Sequence, residues 1–207
     1  MYIPHHFRQD DPSILADFII NNSFGTLISI LDRVPFATHL PFLFDAGRGP
    51  NGILRGHMAR ANPQWQCFDA SEAEIMVMFQ GPHGYISPAW YKQSPSVPTW
   101  NYMAAHVYGT ARVASSDELL DILRSTVLMH EQPRGNPWRY DSLPADYVES
   151  MTRGIVGFEI QISRIEGKFK LSQNRSEDDI LSVIEALEQS GLPGNIALAE
   201  ATSNYSL

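Results

Sequence analysis

The run NYMAAHVYGTARV, Asn101 to Val113, constrains the fold more than any other stretch. Tyr102, Ala104, His106, Tyr108, Thr110 and Arg112 fall on one face of an extended chain, and Met103, Ala105, Val107, Gly109, Ala111 and Val113 on the other. One face is core-like and the other carries polar groups, the signature of a long strand in a sheet with one buried side. IVGFEIQISRI repeats the pattern, setting Val156, Phe158, Ile160 and Ile162 on one face. FGTLISIL and VPFATHLPFLF read as two strands joined at Asp32-Arg33 by a hairpin turn, with Pro41 pointing to an edge strand or a bulge. IMVMF, a short unbroken apolar run, reads as a strand covered on both faces.

Helical spacing is confined to a few segments. DPSILADFIIN has Asp11 as N-cap and Pro12 in the first turn, SSDELLDILRSTVLMHE has Ser116 as its cap, and SLPADYVESMTR is shorter. SEDDILSVIEALEQSG starts at the Ser176 cap and stops at Gly191. After the glycine-rich AGRGPNG, Ile53 to Gly56 reads as a short strand and HMARAN as one helical turn closed by Pro63. The fold expected is mainly β with α, an antiparallel barrel decorated by helices. No linker or repeat interrupts it, so residues 1–192 are expected as one domain with a C-terminal helix at about 176–190, and 193–207 as a loosely ordered tail.

At 207 residues with 43% hydrophobic and 18% charged content, the chain is long enough for a sizeable core. Cys67 is the only cysteine, which excludes an internal disulfide and a thiolate metal cluster, and it reads as a small buried apolar group. The start MYIPHHFRQDDPS lacks the basic segment and apolar core of a secretion signal, and no apolar run reaches the ~18 residues of a membrane helix. The expected location is the cytoplasm. A net charge of −8, with fifteen basic residues scattered, disfavours generic binding to DNA, which depends on clustered Lys and Arg.

Nucleotide-loop, zincin and nucleophile-elbow motifs are all absent from the sequence. Polar and aromatic groups instead gather at five strand ends: Thr38 to Pro41, Arg55 to Pro63, Gly81 to Tyr91, Trp100 to Tyr102 and Lys170 to Asn174. Gly56 beside His57 suits a ligand lying against the backbone. The N-terminus of the expected helical turn, with Arg60, suits an anion such as phosphate. Tyr85, Trp90, Trp100 and Tyr102 offer flat walls for a ring. Each has a plainer alternative: Arg60 paired to an acid, aromatics packed in the core, Ser87 satisfying local backbone, Asn62-Pro63 ending a helix.

MYIPHHF, ATHLPF, LRGHMARANPQW, GPHGYISPAWY, VPTWNY followed by HVYG, and KLSQNRSEDD, taken in order, resemble the PaiB-like FMN-binding proteins, a family of negative transcriptional regulators. The resemblance implies a split β-barrel working as a homodimer with FMN at the subunit interface. It implies the flavin phosphate at the region of Gly56, His57, Met58, Ala59 and Arg60, and the ring along His39, Leu40 and Pro41. Ser87, Trp90, Trp100, Asn101 and Tyr102 would line the same cavity. Lys170, Ser172 and Gln173 would close it. GPHGY is expected to turn the chain tightly before ISPAWY runs past the flavin. Three functions fit: an FMN-binding regulator, an FMN-dependent oxidoreductase with His39, His83 or His106 as proton donor, and a flavin-binding protein without turnover.

Overall fold

In the computed structural model, which describes residues 1–68, 74–134 and 138–207, the alternating run lies within strand β7, Thr99–Val113. Met103, Ala105, Val107 and Gly109 are buried, while Tyr102, Ala104, His106 and Tyr108 are only half-buried. The other strands are β1 Arg8–Gln9, β2 Phe24–Leu31, β3 Val34–Pro41, β4 Leu43–Asp45, β5 Ile53–Ala59, β6 Ile75–Ile86 and β8 Ile155–Lys170. They form an eight-stranded sheet of order β3-β2-β6-β7-β8-β5-β4, with β1 on β8. Five α-helices accompany it: α1 Pro12–Asn21, α2 Ser116–Glu131, α3 Ala145–Thr152, α4 Glu177–Gln189 and α5 Pro193–Ser206. Asp32 and Arg33, both at positive φ, make the expected two-residue turn between β2 and β3, and β3 ends the strand order of the sheet.

Several expectations are corrected by pairing. His57, Met58 and Ala59 are not helical: they continue β5, opposite Gly157, Val156 and Ile155 of β8. The ladder to β8 takes their backbone groups, and Met58 is 2% exposed in the core. Asn62-Pro63 begins a short 3-10 helix, Pro63–Cys67, rather than ending one, and Asn62 caps it through Gln64 N–H at 2.9 Å. IMVMF is not covered on both faces, since Met76 and Met78 alternate with the buried Ile75, Val77 and Phe79. GPHGY does not turn the chain, because β6 runs straight through it to Ile86. Gly81 is required there for a different reason: a Cβ would stand 2.6 Å from the Phe18 ring. The α2 cap is Ser115, one residue before Ser116, in a reciprocal capping box with Glu118. Cys67 is partly exposed and donates to Gln64 O rather than lying in the core.

The chain divides into two compact units. The first holds Met1–Phe18, Phe79–His106 and Glu166–Leu207; the second holds Ile19–Met78 and Val107–Ile165. Every crossing falls inside an element, in α1, β6, β7 and β8, so no linker composition marks the division. The first unit centres on Phe169, Leu171, Val183 and Leu187, and the segment expected as a loose tail is helix α5, with Leu198, Ala199, Ala201 and Thr202 buried. The second centres on Leu27, Leu54, Val77, Ile122 and Phe158, each 0% exposed; such a side chain contributes about 1.5–3 kcal/mol by burial.

Candidate functional site

The expected site residues fall in both units. In the second, His39 lies exposed on edge strand β3, its Nδ1 2.9 Å from Thr26 Oγ1 and its ring stacked on Phe24 at 6.4 Å between centroids. Leu40 is buried beside it. Gly56 does not hold open a place for a ligand: the Phe158 ring fills that space, 2.9 Å from where a Cβ would stand. His57 is half-buried, and desolvation pushes its pKa below the ordinary histidine value, favouring the neutral ring. Arg60 donates from Nε to Arg153 O at 2.8 Å and from Nη2 to Ile155 O at 2.9 Å. With no helix N-terminus at His57 and this guanidinium spent on carbonyls, the phosphate corner expected here loses its two main supports.

The first unit holds a more cationic arrangement. Strand β8 ends at Lys170, and Ser172 turns the chain at φ 74, stapled by Gln173, whose Nε2 donates to Phe169 O at 2.6 Å while its Oε1 accepts from Leu171 N at 2.8 Å. Lys170 Nζ donates to Trp100 O at 2.6 Å and to Thr99 Oγ1. Its pKa is lowered, first by burial and then by the like charges of Lys168 and Arg175. Arg175 stacks over Tyr91 at 4.2 Å. Among the described residues neither cation has a carboxylate partner. Asn101, 1% exposed, donates from Nδ2 to Ser172 Oγ at 2.9 Å, and its Oδ1 has no partner among the described residues. Tyr91, Thr99, Asn101, Lys170, Ser172 and Arg175 line a hollow of about 130 Å³.

Aromatic groups stand close to it in sequence. Trp100 is 56% exposed and meets Tyr85 edge-on at 6.3 Å, and Tyr102 lies under Lys168 Nζ at 5.2 Å. Ser87 caps the 3-10 turn Pro88–Trp90 through Ala89 N–H, the plain role weighed for it. Asp179, fully buried, pins the neighbouring loop by accepting Lys92 N at 2.7 Å and Gln93 N at 3.1 Å. Sequence reading missed Arg175 as a site residue because it sits among the polar groups leading into α4, where a capping segment accounts for it. Among the described residues no cluster of His, Cys, Asp or Glu is arranged for a metal, and no helix is long and apolar enough to cross a membrane.

The family model described as "Putative FMN-binding domain" matches residues 1–164. A Bacillus subtilis (strain 168) protein, "Protease synthase and sporulation protein PAI 2", is 42% identical over 200 residues, covering 97% of this chain and 95% of that protein. Among solved structures, the flavocytochrome Anf3 from Azotobacter vinelandii superposes with a TM-score of 0.58 at 16% identity, over 86% of this chain and 76% of that one. The FAD and heme binding protein from Mycobacterium smegmatis gives 0.56 at 16% identity, over 84% and 78%. At such identity the structures establish a shared fold.

Proposed function

Because the chain belongs to the FMN-binding domain family, whose model spans residues 1–164, we propose that it is a flavoprotein whose FMN phosphate sits against Lys170 and Arg175. One observation carries this placement: two cations and an unpartnered buried acceptor share a hollow with no carboxylate among the described residues to neutralise them. That donor set fits a phosphate ester with a polyhydroxyl chain. Lys170 and Arg175 would neutralise the phosphate, and Asn101 Oδ1 would accept from a hydroxyl. An anion there would offset the burial and, after it, the like charges of Lys168 and Arg175 that lower the Lys170 pKa. FMN itself supplies the redox chemistry of its ring.

A hollow of about 130 Å³ is too small for a whole nucleotide, since ligand sites run to about 300–1,000 Å³. The ring must therefore lie outside it, and the exposed Trp100 and Tyr85 are surfaces against which it would stack. A second copy would complete the site. Edge strand β3 and its hairpin partner expose Phe24 at 68%, Ile30 at 61% and Val34 at 61%, an apolar edge that a homodimer would cover. His39, exposed on that edge, would approach the ring from there, while Leu40 and Met58 serve packing.

A regulatory role is consistent with the name of the Bacillus relative, which joins protease synthase and sporulation. Direct reading of DNA has little physical support. The net charge is −8, and Arg124, the arginine of α2, is tied by Nε to Asp141 at 3.1 Å. Such a role would act through the flavin or a partner protein. The test is a visible spectrum of freshly purified protein, mass spectrometry of what denaturation releases, and sedimentation of the loaded form. The expected result is a yellow dimer releasing one FMN per chain; colourless protein that leaves added FMN fluorescence unquenched would overturn the reading.

A further inference from the structure

A cavity of the second unit is lined from α2, α3 and the 3-10 turn Tyr140–Ser142 and shares no lining residue with the Lys170 hollow. Its volume is about 550 Å³, within the range of small-molecule sites. Leu119, Leu120, Leu143 and Val148 give it an apolar floor, and Arg124 and Arg153 stand in its wall. Arg60 also borders it, but its guanidinium is committed to the carbonyls of Arg153 and Ile155.

Three features point to an occupant. Tyr140 borders the cavity, and its hydroxyl, closed to solvent, has no hydrogen-bond partner among the described residues, a costly state that a turn of the ring towards a ligand would relieve. Among the described residues Arg124 engages Asp141 through Nε, which leaves its two terminal nitrogens to fork onto an anion, and its Cζ lies 5.7 Å from the Tyr140 ring centroid. Arg153 meets Glu149 only at 3.5 Å, with both groups more than 70% exposed, a weak pair that a ligand anion would readily replace. Burial also raises the Tyr140 pKa, so the hydroxyl keeps its proton and remains a donor.

We infer that this cavity is a second ligand site, distinct from the proposed flavin site, taking a small amphipathic anion: an apolar body over the leucine floor and one carboxylate or sulfonate between Arg124 and the Tyr140 hydroxyl. The site is formed by residues of one unit alone, so it binds whether or not FMN is present.

The probe is 8-anilinonaphthalene-1-sulfonate, titrated by fluorescence into the full chain loaded with FMN, with 2-naphthoate as competitor. Expected is saturable binding of one probe per chain, displaced by 2-naphthoate. Arg124→Gln should weaken it at least tenfold, Tyr140→Phe severalfold, and Val148→Trp should abolish it by filling the cavity. FMN retention should be unchanged in all three, which also reports that each variant is folded. Probe binding indifferent to Arg124→Gln and Tyr140→Phe would overturn the inference, and so would displacement of the probe by FMN itself.

Discussion

Glu159 and Arg48 meet as a two-pronged pair: Nη1 to Oε1 at 2.6 Å and Nη2 to Oε2 at 3.1 Å. The carboxylate is 6% exposed and the arginine 47%, so one partner is buried and the other reaches in from solvent. Arg112 approaches the same Oε2 from its own side and also holds Glu118. The network ties the Arg48 loop and the start of α2 to strand β8.

That asymmetry sets the first prediction. Replacing both Arg48 and Arg112 by Ala leaves a buried carboxylate unpaired and should cost about 3 kcal/mol. Glu159→Gln leaves two arginines that can turn to water and should cost less, about 1–2 kcal/mol. Urea unfolding of the two variants checks the order; equal losses would contradict it.

Gly81→Ala should destabilise by about 1–3 kcal/mol through overpacking, since the new Cβ meets the Phe18 ring at 2.6 Å. Adding Phe18→Leu should recover part of the loss. A tight-turn role for Gly81 predicts no recovery, so the double variant separates the two causes.

Lys170→Met should lower FMN affinity by roughly 10- to 100-fold, the equivalent of one charge-assisted hydrogen bond of about 1.5–3 kcal/mol. Stability of the FMN-free protein should change little, because the bonds lost to Trp100 O and Thr99 Oγ1 are offset by removing a charge that is desolvated and repelled by Lys168 and Arg175. Flavin fluorescence titration and thermal unfolding read the two effects apart.

His57 contributes, with His106, to a pH dependence near neutrality. Its folded pKa lies below the ordinary 6.5, so as pH falls below 6.5 the unfolded chain takes up a proton that the folded chain resists. Stability should decline with acidification in that window, and His57→Gln should flatten the decline. Glu118, held down to about 2 by the Arg112 guanidinium, acts lower: its contribution is complete above its ordinary 4.5 and disappears as pH falls towards 2. Its exposure limits that contribution to about 1 kcal/mol or less.

The elements readable in the sequence are those whose signal is local. Alternation in β7 and the residues 155–162 of β8, helical spacing in α1, α2 and α4, and the Asp32-Arg33 turn each follow from a few adjacent residues. His57 to Ala59 are strand rather than helix because both are open to such a stretch, and a partner about a hundred residues away chooses between them. Gly81 and Gly84 read as turn residues, while in the structure the missing side chains make room for Phe18 and Leu198. Helix α5 carries no strong apolar stripe, and its order comes from burial of Leu198, Ala201 and Thr202 and from Ser206 donating to Leu171 O at 2.9 Å.

The site divides in the same way. The aromatics, the Lys170 turn and the family pattern are written in consecutive residues, and with them the flavin reading. Only the tertiary structure decided that Arg60 is spent on carbonyls, that Phe158 fills the space beside Gly56, and that Arg175 joins Lys170 with no acid among the described residues to neutralise them. Periodicity records which face of a strand is buried. Which cation is left unpaired depends on groups brought together from distant parts of the chain, and that is fixed only when the strands find their partners.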